Sequence, residues 1–190
     1  TTVLEHNSVL RPLYRLESQG IHSILQDADA QGNVDYEQLA QILHSNPRIA
    51  AVVTTHASNL TGNRVDLARI GALCAKEQRL FIVDVSQTAG SMMIDMQQQH
   101  IDVLCFTGHK GLLGPQGTGG ICVRPGLQIR SFKAGGSGIQ TFSRVQPEQM
   151  PEHLEAGTMN VHGLAGLRAG LLYLRETGLE AIRQQELALM

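Results

Sequence analysis

Leu80-Phe-Ile-Val-Asp84 and Ile101-Asp-Val-Leu-Cys-Phe106 are short apolar runs that each give way to polar residues and glycine. Val85-Ser-Gln-Thr-Ala-Gly90 follows the first, and Thr107-Gly-His-Lys110-Gly-Leu-Leu-Gly-Pro-Gln-Gly117 follows the second. Runs of this length bounded by turn residues read as β-strands, and their near-continuous apolar character is that of strands covered on both faces. Ala50–Thr54, Thr2–Leu4 and Ile21–Leu25 are further short runs bounded by turn or polar residues, so five strands are expected. Helical patterns lie between and after them. Asp35-Tyr-Glu-Gln38 has the form of a capping box ahead of Leu39, Ile42 and Leu43. Ile70, Leu73 and Cys74 have i, i+3, i+4 spacing. Leu164, Leu167, Leu171 and Leu174 form a stripe that stops at Thr177-Gly178. Alternating strands and helices predict an α/β fold, a mostly parallel sheet with helices on both faces. Ligands of such sheets sit beyond the carboxyl ends of the strands.

The chain of 190 residues suits one domain. With 15 basic and 17 acidic residues and a net charge of −2, it lacks the electrostatic footprint of a nucleic-acid binder. No stretch reaches the roughly 18 apolar residues of a membrane span. Cys74, Cys105 and Cys122 form no CxxC and are odd in number, which argues against a disulfide framework and for a reducing, cytoplasmic compartment. All three read as small core residues. The glycines are unevenly spread. Ten of the 20 fall between Gly108 and Gly138, and Gly135 to Pro151 reads as a long exposed loop with a functional or interface role. The pattern opens inside a strand at Thr1 and closes on a starting helix at Leu179–Met190, as expected of a piece of a longer chain.

Two residues concentrate the chemistry. Asp84 ends a strand, where a carboxylate either faces the ligand crevice or caps a turn. Lys110 follows a buried strand and precedes a glycine-dense turn, where a backbone can approach a ligand closely. A partly desolvated lysine there is suited to Schiff-base chemistry; otherwise it is a solvated loop residue. Other glycine motifs fail. No Gly-Lys pair exists for a phosphate P-loop, and Gly117-Thr-Gly-Gly120 lacks the third glycine of a dinucleotide fingerprint and precedes the strand-like Ile121-Cys-Val. The eight histidines form no HExxH, and no metal site is expected.

Asp84-Val-Ser-Gln87-Thr-Ala-Gly90 with Thr107-Gly-His109-Lys110 resembles the cofactor site of the class V aminotransferases, most closely the cysteine desulfurases and selenocysteine lyases. Glu5-His6-Asn-Ser, Thr55-His-Ala-Ser-Asn59-Leu-Thr-Gly62 and Glu155-Ala-Gly-Thr158-Met-Asn160 add matches in the family's order along nearly the whole chain. The resemblance implies pyridoxal 5'-phosphate (PLP) as cofactor. Lys110 would carry it as a Schiff base, Asp84 would keep its pyridine nitrogen protonated, and His6 would stack on the ring and shuttle protons. Asn59 and Gln87 would face the phenolic oxygen, Thr107 and His109 would bind the phosphate, and Thr158 would reach a phosphate across a dimer interface. The implied activity is release of sulfur from cysteine or a similar small amino acid to an acceptor cysteine outside this chain. An aminotransferase, another PLP-dependent lyase, or a catalytically inert dimerising piece are the alternatives. A homodimer is implied as well. Residues 1–190 would be the central part of the large PLP-binding domain. An upstream phosphate-binding segment and a small C-terminal domain, with its substrate-carboxylate arginine and acceptor cysteine, would lie outside them. Weak cofactor binding and little turnover are expected of the part alone.

Overall fold

Phe81 and Val83 are wholly buried, while Leu80, Ile82 and Asp84 between them are only half-buried. That alternation makes Leu80–Asp84 a strand, β2, with one deep face and one shallower face. Ala51–Thr55, β1, alternates in the same way and pairs parallel with β2 from Ala51↔Leu80 to Thr55↔Asp84. Val103–Thr107, β3, pairs parallel on the other side of β2, through Asp84↔Cys105. Gly119–Val123, β4, closes the order β1-β2-β3-β4 as an antiparallel edge strand. The computed structural model describes residues 1–189.

The helices are set by their caps. Asn7–Glu17, α1, starts on His6. Tyr36–Ser45, α2, starts on Asp35, whose side chain accepts from the N–H groups of Glu37 and Gln38. Leu67–Lys76, α3, starts on Asp66, which accepts from Arg69 N–H. Each such cap satisfies amides that have no partner within the helix. Val161–Thr177, α4, starts on Asn160 and ends at Gly178, whose φ of 85° reverses the chain into α5, Leu179–Ala188. α3 packs on β2, and α2 packs on α3. Leu39, Leu43, Leu67, Ile70 and Cys74 thereby join Val52, Phe81 and Val83 in the main core. A second cluster sets Leu167 and Leu174 of α4 against Leu112.

The expected α/β class is the one adopted, with three parallel strands and one antiparallel. Some local expectations fail. Thr2–Leu4 and Ile21–Leu25 are not strands: a single parallel bridge pairs Thr2 with Gln26, the residue after the second run, and Ile21 and Ile24 lie exposed rather than between layers. Helix α1, which contains Pro12 and buries no residue, was not among the expected elements. The capping box is half formed. Asp35 caps, but Gln38 Oε1 accepts from Gln26 Nε2 instead of returning to the cap. Of the leucine stripe, Leu167 and Leu174 are buried whereas Leu164 and Leu171 face solvent. Cys74 is buried and Cys105 half-buried, but Cys122 is exposed on the edge strand and is no core residue. Residues 135–151 carry no helix or strand and are largely exposed, as expected.

Phe81 is the largest fully buried side chain. Truncation by Phe81→Ala should cost about 3–5 kcal/mol, read as a fall in the urea unfolding midpoint.

Candidate active site at the strand ends

Because β1, β2 and β3 run parallel, Thr55, Asp84 and Thr107 terminate on one edge of the sheet. The segments that follow them carry most of the candidate residues. Asp84 is half-buried, and its Oδ1 accepts from Ser86 N–H at 2.9 Å. The acid therefore does cap a turn, yet Oδ2 has no partner among the described residues. The turn continues through Thr88 N–H and Ala89 N–H, both donating to Val85 C=O, and reaches Gly90 at φ 99°. Gly90 lies directly on Gly111, where a Cβ would fall on the Gly111 carbonyl. A Cβ on Gly111 would in turn lie 2.5 Å from Ala89 O. The loop after β2 and the loop bearing Lys110 thus touch backbone to backbone, a proximity only glycine permits.

Lys110 is exposed, with no acidic partner among the described residues. The expected partial desolvation is not seen: α4 covers Leu112 of its turn, but the Lys110 side chain stays exposed. Behind it, Thr107 Oγ1 and His109 Nδ1 lie 2.8 Å apart and share a hydrogen bond, which brings the two expected phosphate ligands side by side. Asn59 and Gln87 are both exposed, on the loops after β1 and β2.

His6 reaches the same edge by a different device. Glu5 is buried, and its carboxylate accepts from Thr2 Oγ1 at 2.8 Å and from Thr55 N–H at 2.6 Å. This ties the residue before His6 to the end of β1. His6 itself is exposed and caps α1, its Nδ1 accepting from Ser8 N–H at 3.1 Å. Thr158 stands apart. It is exposed in a loop fastened by Gly157 N–H to Gly136 C=O, and among the described residues no hydrogen bond joins it to the strand-end residues; Asn160, not Thr158, caps α4.

Two residues that the chemistry-led reading passed over are the most perturbed titratable groups at this edge. Burial pushes the Glu5 carboxyl up to about 7, against the opposing hydrogen bonds from Thr2 and Thr55. Burial, aided by the positive charge of Arg64, pushes His56 down to about 4. Both stand in quoted motifs, and a polar residue beside a strand end was the only available signal. Burial pushes the Cys74 thiol up to about 12, and burial with the negative charge of Asp84 pushes Cys105 up to about 11, so both remain protonated and inert.

Residues 1–190 match the family Aminotransferase class-V. The chain belongs to that family. A Pyrococcus abyssi protein named "Probable cysteine desulfurase" is 32% identical over 98% of this chain and 47% of its own length. Among solved structures, the apo cysteine desulfurase of Thermococcus onnurineus superposes with a TM-score of 0.80 at 31% identity, over 97% of this chain and 47% of its own. The cysteine desulfurase CsdA of Escherichia coli gives 0.85 at 30% identity, over 95% and 46%. The class-V chain spans about half the length of the curated relatives it matches. No helix among the described residues is long and apolar enough to cross a membrane.

The two buried groups oppose each other in their effect on stability. Glu5 binds its proton more tightly folded than at its ordinary 4.5, so its contribution is full below 4.5 and is lost as pH rises through 7. His56 binds its proton less tightly folded than at its ordinary 6.5, so its contribution is full above 6.5 and is lost as pH falls toward 4. Urea midpoints measured between pH 4.5 and 6.5 should therefore rise with pH in Glu5→Gln and fall with pH in His56→Asn, with the unsubstituted protein between them.

Proposed function

We propose that residues 1–190 are the central part of the large domain of a PLP-dependent, cysteine desulfurase-like enzyme. The observation that carries this reading is the contact between Gly90 and Gly111. It joins a strand-end carboxylate with an unpartnered oxygen to a lysine with no acid of its own. Family membership supports the choice of cofactor.

The chemistry of the donor set fits PLP. An anion suits a protonated pyridine nitrogen, an amine suits the aldehyde, and a hydroxyl beside an imidazole suits a phosphate. Lys110 Nζ would hold the cofactor, Asp84 its ring nitrogen, Thr107 and His109 its phosphate, Asn59 and Gln87 its phenolic oxygen, and His6 its face. When bound, the cofactor supplies an electron sink for the pair left at the substrate Cα. Asp84 would keep a proton on the ring nitrogen at neutral pH. Lys110 Nζ would serve as the base for the substrate Cα proton, and His6 would be a second group able to move protons at the site. Cys74 and Cys105, held protonated, are unsuited to receive sulfur, Cys122 pairs with Leu104 away from the strand ends, and the family resemblance implies an acceptor outside this chain.

A homodimer belongs to the same reading, with Thr158 completing the partner's phosphate site. Phe142 is fully exposed and Val145 is 73% exposed, both within the 135–151 loop, and a second copy would cover them. The three free cysteines fit a cytoplasmic setting.

The protein is incubated with PLP, reduced with borohydride and mapped by mass spectrometry. One cofactor mass should appear on the Lys110 peptide and vanish in Lys110→Ala; a label elsewhere, or none, would refute the assignment. In the whole enzyme, with the acceptor cysteine present, L-cysteine should yield alanine and sulfane sulfur, whereas amino transfer to a 2-oxo acid would make it an aminotransferase. Asp84→Asn should lower that turnover by about a hundredfold or more.

A further inference from the structure

His56 sits between the segments that carry the site without belonging to any role given above. Its backbone is fixed first. Its N–H donates to Asp84 C=O at 2.8 Å, and its carbonyl accepts from Val65 N–H at 3.0 Å. The adjoining bridge Ala57↔Arg64 then closes the loop that presents Asn59. The ring is buried, 7% exposed, and its Nδ1 lies 2.8 Å from Thr88 Oγ1, itself 4% exposed. Thr88 is the residue after Gln87, and it stands at the centre of the turn begun by Asp84. Its N–H donates to Val85 C=O, and its carbonyl accepts from Met92 N–H. Immediately beyond it, Ala89 and Gly90 make the backbone contact with Gly111, next to Lys110. One side-chain hydrogen bond therefore joins the Asn59 loop to the Asp84–Gln87 turn, and that turn rests on the lysine loop.

An apolar side chain could fill the same space more cheaply. A histidine taken out of water loses hydration that only a well-placed partner restores, so a buried imidazole with a single defined partner is an orienting device. Burial and the nearby Arg64 keep the ring neutral at physiological pH, and a neutral ring offers Thr88 an acceptor or a donor at Nδ1 depending on tautomer. The bond fixes where the Thr88 side chain points. The rotation of the turn holding Asp84 and Gln87 is thereby fixed against the end of β1.

We propose that His56 is a positioning residue of the cofactor site, acting through the Thr88 hydroxyl to orient the turn that presents Asp84 and Gln87. The role rests on the PLP reading above, and the experiment separates the two. Dissociation constants for PLP are measured by equilibrium dialysis for the unsubstituted protein, His56→Leu, Thr88→Val, the double variant and His56→Asn. Thermal unfolding of each cofactor-free protein is followed in parallel. Asparagine places a polar atom where Nδ1 stands, leucine fills space without one, and valine removes only the hydroxyl. His56→Leu and Thr88→Val should each weaken binding by about tenfold or more, and the double variant should be no worse than either. His56→Asn should recover affinity to within about threefold of the unsubstituted protein. Amide exchange over residues 86–90 should accelerate in His56→Leu and Thr88→Val but not in His56→Asn. Thr88→Val, nearly isosteric, keeps the test available if His56→Leu does not fold.

Failure of the unsubstituted protein to take up PLP would overturn the cofactor reading itself. Uptake by the unsubstituted protein matched by His56→Leu, or fully additive losses in the double variant, would overturn the role of His56 alone. A fall in melting temperature with no change in affinity or exchange would do the same.

Discussion

Gly90 and Gly111 lie backbone on backbone, and the strand-end site depends on the space their missing side chains leave. Parallel pairing brings Thr55, Asp84 and Thr107 to one edge, but strand spacing alone does not bring the loops beyond them together. The glycine contact does. It sets the turn begun by Asp84 against the turn of Lys110 with no side chain between them. The surrounding polar links act on the same assembly from outside. Glu5 holds the His6 segment to the end of β1, and His56 holds the β1 loop to the β2 turn.

The division of labour among these groups follows from burial. Residues assigned to meet the cofactor are exposed or half-buried: His6, Asn59, Asp84, Gln87, Thr107, His109 and Lys110. Residues that hold them in place are buried: Glu5, Thr55, His56 and Thr88. A group that must exchange protons or bonds with a ligand needs an open face. A group that must keep one geometry gains from a dry surrounding, where a hydrogen bond has no competing water.

What the sequence disclosed divides along the same line. Strands β1, β2 and β3 were legible because short apolar runs ended in turn chemistry, and Asp84 and Lys110 were legible because they followed such runs. Thr2–Leu4 and Ile21–Leu25, the latter broken by His22 and Ser23, give only the bridge Thr2↔Gln26 beside them, since a short apolar run does not state whether a second layer will cover it. Cys122 was misjudged for the same reason: it lies on an edge strand with exposed faces. Helix α1 carries Val9, Leu10, Leu13 and Leu16 at helical spacing, and its interior Pro12 is the local signal that runs against it. Glu5 and His56 stood inside quoted motifs without a role of their own. Their burial is a tertiary fact, created by segments fifty or thirty residues distant.

The antiparallel direction of β4 has a consequence for the lysine. Pairing Thr107 with Gly119 fastens both ends of the loop 108–118 to the same sheet edge, and Gly108 N–H to Thr118 C=O cinches its mouth. Within the loop, Gly114 N–H donates to Gly108 C=O and Leu113 N–H to Lys110 C=O. Much of the entropy of closing this loop is therefore lost when the sheet forms and need not be lost again when a ligand arrives. The amine on this tethered loop explores a small volume, so its effective concentration at the strand ends is set by the fold.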